Sequence, residues 1–368
     1  MPSTNLQNSV DFSGQKFYVG LDVHKKSWSV TVRSLGIQVA HFTQPPSAEA
    51  LVATLKRKFP GGIFSSAYEA GFCGTVSHEQ ICKLGIDNII VHAADIPLTD
   101  KEKKNRTDLH DSRSIAQRLE KNDLHGIHVL SREQQELRSL FRLRESKVQD
   151  VTRANNRLKG YLMYFGIEIP DTISQKEFLS KKVLEWLDNL ELASEAGAIS
   201  LKQHLETLRY QRTKLYQITK LLRNQIQTIH DQAYLRLLTV PGIGGVVAMG
   251  LLAEIADFTR FDDPDNYCSY LGLMPWNYSS GESIRTKGIQ PRCNKHLRPL
   301  IIQASWTAIR HAPELLSYYS KHAAKNNKHA ITKVARRLAL IARGVVLKNQ
   351  DYQPDYLQKN KKQQKEAQ

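Results

Sequence analysis

The stretch that decides the fold of the N-terminal part is FYVGLDVHKKSWSVTVRSLGIQVAHFT, residues 17–43. It is rich in Val, Tyr, Phe and Trp, which favour strands, and two short polar segments, HKK and SLG, interrupt it. This pattern predicts two or three antiparallel strands joined by short turns.

Helices and strands are predicted to alternate after this stretch. We expect, in order, a helix over residues 47–59, a strand over 62–70, a helix over 75–85, a strand over 87–93 and a helix that begins near Thr107. The order β-β-β-α-β-α-β-α is typical of a mixed sheet with helices on its faces. The sequence therefore predicts an α/β domain over residues 16–125.

The composition is typical of a globular protein. The chain has 368 residues, enough for two or three domains, with 41% hydrophobic and 24% charged residues. No stretch approaches the roughly 20 consecutive apolar residues of a membrane-spanning helix, so we expect no membrane partner. Residues 1–15 lack the features of a secretory signal and predict a flexible tail. The four cysteines show no CxxC spacing, which argues against zinc or disulfides and fits a reducing cytoplasm.

Charge is the most informative bulk property. Lys and Arg number 52 and Asp and Glu 36, so the net charge is +16. Residues 285–368 hold 18 of the basic residues and only four acidic ones. This asymmetry predicts that the C-terminal part binds a polyanion, most simply nucleic acid, through its phosphates. A solvated basic face is the alternative, which we favour for residues 358–368.

Residues 131–234 predict a helical linker. Two long runs carry Leu, Ile, Val and Tyr at three- and four-residue spacing with charges between them. The second run contains a coiled-coil-like stripe, formed by Leu201, Leu205, Leu208, Leu215, Ile218 and Leu222. Packing in a core or against a partner is the default role of such a stripe. We expect an arm that joins two domains or mediates oligomerisation.

Residues 235–348 predict a mainly helical C-terminal domain, and residues 349–368 predict a basic tail. In VPGIGG, residues 240–245, the glycines resemble the turn of a helix-hairpin-helix motif, whose amides at a helix start can receive a phosphate. Gly242 and Gly244 are therefore candidates for nucleic-acid binding. A tight turn between two packed helices is the open alternative. Further helices are expected over residues 262–271, 295–312 and 331–348.

Four acidic residues lie in the predicted sheet or at the start of the helix that follows it. Asp22 lies inside an apolar strand, where burial of an unpaired carboxylate is costly, and Gly20 leaves room beside it. Glu69 ends a later strand. Asp108 and Asp111 are three residues apart, so they share a face if they form the first turn of a helix.

Each acid also has a purely structural interpretation. Asp22 could pair with Lys25 or Lys26 across a turn. Glu69 could be a surface residue, and Asp108 could complement the helix dipole. Together, however, the four follow the order in which a ribonuclease H-like fold gathers carboxylates around divalent metal. Hard oxygen ligands suit Mg²⁺ or Mn²⁺, and two such ions could activate and stabilise the oxygens of a phosphodiester.

The ordered motifs of the chain resemble those of one family, the DEDD transposases of insertion sequences (the IS one-ten and eleven-eleven group). The motifs are YVGLDVHKKS, YEAG, NRTDLHDSR, VPGIGGVVAMGLLAEI and YLGLMPWNYSSGES. The resemblance extends over roughly residues 17–348 and preserves the order of the motifs.

The resemblance implies a RuvC-like N-terminal domain, a coiled-coil linker and a C-terminal transposase domain. The metal-binding and catalytic acids would be Asp22, Glu69, Asp108 and Asp111. Members of the family are DNA recombinases guided by a bridge RNA that pairs with donor and target DNA. They act as oligomers, here a dimer to a tetramer, in which the acidic site of one subunit meets the serine of another. Such a protein would act in the cytoplasm, at the nucleoid.

The segment MPWNYSSGESIRTKG, residues 274–288, predicts a polar loop. The family's recombinase serine precedes a glycine, which matches Ser280, with Ser279 as the fallback. The resemblance implies that this serine cuts and rejoins DNA through a covalent phosphoserine, although Ser and Gly are also ordinary turn residues. Nearby cations could hold the scissile phosphate, namely Arg285, Lys287, Arg292, Lys295 and Arg298.

Three functions follow from these features. The first is an RNA-guided serine recombinase that acts as a transposase. The second is a metal-dependent nuclease or junction resolvase, in which water attacks and the serine is structural. The third is a nucleic-acid-binding scaffold without catalysis, in which Asp22→Asn and Asp111→Asn would change nothing.

Overall fold

The computed structural model describes residues 11–96, 108–173, 179–280, 283–324 and 326–354. The side chains of residues 108, 277–280 and 283–287 are not among those described. The chain divides into two compact units, Met1–Val129 and Leu130–Gln368.

A five-stranded mixed sheet forms the centre of the first unit. Its strands are β1 (Lys16–Val23), β2 (Trp28–Ser34), β3 (Ile37–Gln44), β4 (Ile63–Glu69) and β5 (Asp87–Val91). They lie in the order β3-β2-β1-β4-β5. The first three strands pair antiparallel, whereas β4 is parallel to both β1 and β5. The predicted antiparallel strands and the predicted mixed sheet are confirmed.

Helices cover both faces of this sheet. They are α1 (Ala48–Lys58), α2 (Val76–Lys83) and α3 (Asp108–Glu120), with a short 3₁₀ helix at Ala93–Asp95. On one face, side chains of β1 such as Leu21 pack with Leu51 of α1 and Ile81 of α2. On the other face, Ile115 of α3 packs with Ala67 and other residues of a smaller cluster. Alternation along the strands sends their apolar residues to these two layers.

The second unit is mainly helical, as predicted. Its helices are α4 (Arg132–Tyr164), α5 (Lys181–Asp188), α6 (Glu195–Leu238), α7 (Gly245–Ile255), α8 (Pro264–Tyr270), α9 (Leu297–His311), α10 (Pro313–Ala323) and α11 (Asn327–Leu347). Its core joins α7 to α11 with parts of α4 and α6.

The long helices α4 and α6 pack antiparallel. Tyr161 donates a hydrogen bond to the carbonyl of Gly197, while Gln134 near the other end of α4 contacts His230. Four residues of the predicted stripe are buried, namely Leu201, Leu205, Leu208 and Leu222, and the other two, Leu215 and Ile218, are half-buried. The stripe therefore packs within its own chain, against α4 and α5.

A β-hairpin occupies the segment that the sequence predicts as a polar loop. Strand β6 (Pro275–Ser280) pairs antiparallel with β7 (Ser283–Ile289), and Ser280 lies opposite Ser283. The prediction of a loop is wrong, because the two segments pair with each other in an antiparallel ladder, which polar residues can also form.

The first residues after α11 contact the helices of the second unit, to which they belong. Asp351 pairs with Arg236 at 2.7 Å, and the amide of Tyr352 donates to Thr239 Oγ1 at 2.9 Å. The hydroxyl of Tyr352 contacts Glu314. The described part of the predicted basic tail is therefore held against the helices.

Two further predictions concern membranes and cysteines. Within the part of the chain that the structure describes, no helix combines the length and the apolar character needed to span a membrane. All four cysteines carry free thiols, and burial raises the pKa of the Cys268 thiol to about 11.

Candidate active site

Two of the candidate acids lie at the ends of neighbouring parallel strands. Leu21 of β1 pairs with Tyr68 of β4, and the next residues along the two strands are Asp22 and Glu69. Both acids are partly exposed, the Asp22 side chain to 20%. His24 Nε2 lies 3.1 Å from Asp22 Oδ2, so the first acid has a hydrogen-bond partner two residues along the chain. This end of the sheet is where parallel strands usually present ligand-binding residues.

Gly20 allows α3 to approach β1 closely. A Cβ built on Gly20 would lie 2.1 Å from the carbonyl oxygen of Ser112 and 2.4 Å from the amide nitrogen of Ala116. Both distances are far below van der Waals contact. The sequence predicts room beside Asp22 at this glycine, and the structure fills that room with the backbone of α3.

The direction of α3 brings its first turn to the acidic end of β1. Glu120, the last residue of α3, accepts hydrogen bonds from Arg33 Nε at 2.8 Å and from the amide of Gly36 at 2.7 Å. Arg33 pairs with Tyr18, near the start of β1. The helix therefore runs antiparallel to β1, and its first turn lies toward the end of β1 that carries Asp22.

A buried polar contact lies beneath this first turn, and the sequence analysis missed it. Ser112 Oγ lies 2.9 Å from Thr31 Oγ1 and 3.3 Å from Ser29 Oγ, and Ser29 pairs with Asp22 across the ladder. Thr31 Oγ1 also contacts His41 Nδ1 at 3.2 Å. Three hydroxyls buried together in a core are costly unless they bond to one another, and the alternation of Ser29 and Thr31 in β2 was the available signal.

The donor set suits a hard divalent cation, because it consists of carboxylates. Among the described side chains, however, no three His, Cys, Asp or Glu residues are grouped closely enough to hold a metal ion. The side chain of Asp108 lies outside the described set. The fold thus places Asp22 and Glu69 on neighbouring strand ends and directs the first turn of α3 toward that end of β1.

The candidate serines lie in the second unit, on the hairpin. Ser279 and Ser280 are the last residues of β6, and Arg285 and Lys287 lie on the paired strand β7. In the register of the hairpin, Ser279 is opposite Ile284 and Tyr278 is opposite Arg285. The side chains of the serines and of these two cations lie outside the described set.

The other candidate nucleic-acid-binding residues differ in their surroundings. Arg292 and Lys295 are exposed. Arg298 is half-buried, and its Nη1 donates to the carbonyl of Gln290 at 2.7 Å, which ties α9 to the end of the hairpin. This guanidinium therefore has a structural contact that the sequence did not suggest, and its role toward nucleic acid stays a prediction.

The two glycines of the VPGIGG turn also differ. Gly242 has a φ of +85°, and a Cβ there would lie 2.4 Å from the carbonyl oxygen of Ala304 in α9. The tight packing of helices explains this glycine without a ligand. Gly244 is exposed and precedes the first residue of α7. Its role toward phosphate stays a prediction.

A buried carboxylate, which the sequence analysis also missed, organises the second unit. Glu254 is fully buried, and its carboxylate accepts from Arg142 Nε at 2.7 Å and from Asn294 Nδ2 at 2.9 Å. Its carbonyl, in the last turn of α7, accepts from Arg138 and Tyr270. Burial opposes ionisation of Glu254, but the bonds from Arg142 and Asn294 and the nearby positive charges outweigh it, so its pKa lies below the usual value.

Two family models match the chain in sequence order. A DEDD transposase model of the IS110 type matches residues 19–165, which include all four candidate acids. The model described as transposase IS116/IS110/IS902 family matches residues 234–320, which include the hairpin. Together the two models match more than half of the chain.

Individual relatives agree with these models. The y4qE protein of Sinorhizobium fredii is 25% identical over 306 residues, 81% of this chain and 73% of the relative. The transposase for insertion sequence element IS1328 of Yersinia enterocolitica is 27% identical over 55% of this chain and 59% of the relative. The transposase for IS1111A of Coxiella burnetii is 27% identical over 57% of this chain and 56% of its own length. The chain therefore belongs to the IS110/IS116 family of DEDD transposases, enzymes that cleave and transfer DNA.

Proposed function

We propose that this transposase cleaves DNA by a metal-dependent, RuvC-like mechanism at the carboxylates of Asp22, Glu69, Asp108 and Asp111. The observation that carries the proposal is the antiparallel run of α3 along β1. This direction supports a site in which the two acids of the helix join the two acids of the strand ends. The DEDD model that matches this region and the mixed five-stranded sheet both support the proposal.

The four carboxylates would hold Mg²⁺ or Mn²⁺. A bound divalent ion would stabilise negative charge on the attacking and leaving oxygens of the phosphodiester. The contribution of the chain is to hold the carboxylates in place. Packing on Gly20 sets the height of α3 above β1, and the Ser112 hydroxyl anchors its first turn to β2.

The test measures DNA cleavage and Mn²⁺ binding by Asp22→Asn and Asp111→Asn variants. We expect cleavage to fall by about 10²-fold or more and Mn²⁺ affinity to fall in parallel, with DNA binding retained. Asp87→Asn is the matched control, because Asp87 is exposed and begins β5 at the opposite end of the sheet. Undiminished cleavage by both variants would contradict the proposal, because the chemistry would then lie at other residues.

A covalent route through Ser280 is the second candidate. It is favoured by the position of this serine at the end of a hairpin whose other strand carries Arg285 and Lys287. In this route Ser280 Oγ bonds to the phosphorus while the bond from phosphorus to the leaving oxygen breaks, and the serine proton passes to a base. The matched DEDD model supports attack by water better. A protein–DNA adduct that persists after denaturation and disappears in Ser280→Ala, but not in Ser279→Ala, would establish the serine route instead.

The partners follow from the same proposal. A transposase binds DNA, and we extend this to donor and target DNA, a guiding bridge RNA and a homo-oligomer of two to four subunits. Cleavage assays with and without RNA from the flanking non-coding region of the element test the guide. Light scattering of the complex tests the oligomer, and a monomer active without RNA would contradict both extensions.

A further inference from the structure

A basic cleft lies in the second unit, between α4 and the N-terminal end of α9. Its volume is about 570 Å³. Its walls include Arg142, Arg144, Glu145 and Gln149 from α4, and Lys295 and His296 before α9. No candidate acid of the first unit belongs to this cleft.

The basic residues of the cleft are only partly paired with acidic residues of the same unit. Arg142 is paired with the buried Glu254, and His296 with Glu145. Lys295 is exposed, and the Nε of Arg144 is buried without a hydrogen-bond partner among the described residues. Burial lowers the pKa of Arg144, yet a guanidinium remains charged at neutral pH. Arg144 is half-buried and lines the cleft, so its charge and that of Lys295 are available to pair with an anion there.

The start of α9 adds to the positive potential. Asn294 Oδ1 accepts from the amides of His296 and Leu297, each at 3.0 Å, so the first turn of α9 is fixed beside the cleft. The N-terminal end of a helix carries a partial positive charge. Arg144 and Lys295 thus lie on two walls, with a helix end between them.

We propose that this cleft binds the phosphodiester backbone of a nucleic acid, independently of the acidic site. Ser146 lies four residues after Arg142, and Gln149 three residues after Ser146, so these polar donors follow one side of α4. Such a row suits a chain of phosphates better than a single anion. Apart from His296, no aromatic ring lines the cleft in the described part of the chain, so base stacking is not expected. Binding here is therefore independent of sequence.

The experiment compares Arg144→Gln/Lys295→Ala with a control double variant, Arg310→Gln/Lys202→Ala. The control removes the same charge from exposed positions on α9 and α6. The full chain is titrated with a 20-base-pair DNA and with a 20-nucleotide RNA, in EDTA, at several salt concentrations. EDTA prevents metal-dependent cleavage, so the result does not depend on the acidic site.

We expect the slope of log K against log salt to become shallower by about 1.8 for duplex DNA, or about 1.4 for single-stranded RNA, than in the control. A change confined to DNA or to RNA identifies which backbone the cleft binds. Gln149→Lys, which adds a cation, should steepen the same slope. If circular dichroism shows that Arg144→Gln/Lys295→Ala does not fold, Gln149→Lys alone tests the proposal. Slopes equal to the control for both nucleic acids, or binding of inorganic phosphate alone, would overturn the proposal.

Discussion

At the scale of the residue, Gly20 determines how closely a helix can lie on the central strand. The backbone of α3 occupies the space that any side chain at this position would need. Cores are packed so densely that even one methyl group must displace its neighbours. The position of Asp111 relative to Asp22 therefore depends on a residue that carries no chemistry itself.

The substitution Gly20→Ala should lower the free energy of unfolding by about 1–3 kcal/mol. The new Cβ would meet the main chain of Ser112 and Ala116, and backbone cannot move aside as a flexible side chain can. Urea unfolding measures the change. Gly71→Ala is the control, because its nearest contact is 3.9 Å away and it has no positive φ. Equal stability of the two variants would show that α3 shifts without cost.

Glu254 gives the second unit a predictable pH dependence. Its folded pKa lies below the unfolded value of about 4.3, so the stabilisation is present above that pH and is lost as the pH falls through the folded pKa. Unfolding in urea between pH 3 and 7 should show this loss.

The substitution Glu254→Gln should cost about 2–5 kcal/mol at pH 7, because Arg138 and Arg142 then lose their buried counter-charge. Between pH 7 and pH 3, the free energy of unfolding of this variant should therefore fall by less than that of the unsubstituted chain. A Glu314→Gln variant, changed at a carboxylate elsewhere in the unit, should show the same fall with pH as the unsubstituted chain. Parallel pH profiles of Glu254→Gln and the unsubstituted chain would refute the assignment.

At the scale of the element, the antiparallel pair of α4 and α6 depends on one buried face. Leu205 is only 2% exposed, while Tyr216 on the same helix is 70% exposed. A long helix gains most of its stability from such packing and little from propensity alone. The two faces of α6 should therefore respond very differently to truncation.

The substitution Leu205→Ala should cost about 2–5 kcal/mol, whereas Tyr216→Ala should stay within about 0.5 kcal/mol. Differential scanning calorimetry of the full chain measures both. If the two substitutions lowered the stability by nearly the same amount, Tyr216 would be buried in solution. The oligomeric state of the Tyr216→Ala variant would then be compared with that of the unsubstituted chain.

At the scale of the whole molecule, the residues just after α11 pack against the helical unit in addition to carrying charged side chains. The sequence predicts a tail from residue 349, but Asp351 and Tyr352 make specific contacts with α6 and α10. A chain that ends after Lys348 should thus be less stable than one that ends after Pro354, by about 1–3 kcal/mol. Thermal unfolding of the two chains compares them directly, and equal midpoints would contradict the contacts.

Much of this architecture was predictable from local pattern. The strand-favouring composition of residues 17–43 predicted two or three antiparallel strands, and three- and four-residue spacing predicted the long helices. The place of Glu69 at a strand end, and of Asp108 and Asp111 in a first helical turn, followed from the same patterns, whereas Asp22 was expected inside its strand and is the last residue but one of β1. These features depend on residues that are close in the sequence, where side-chain periodicity and backbone preference act directly.

The remaining features depend on contacts between distant residues, which no local pattern contains. The packing of Ser112 on Gly20 joins positions 92 residues apart, and the salt bridge of Arg142 with Glu254 spans 112 residues. The hairpin that carries Ser280 is local in sequence, but its polar composition predicts a loop, and the pairing of β6 with β7 makes it two strands instead. Tertiary packing also sets the direction of α3 against β1, since only a folded core can hold the helix along the strand with its first turn toward the strand end.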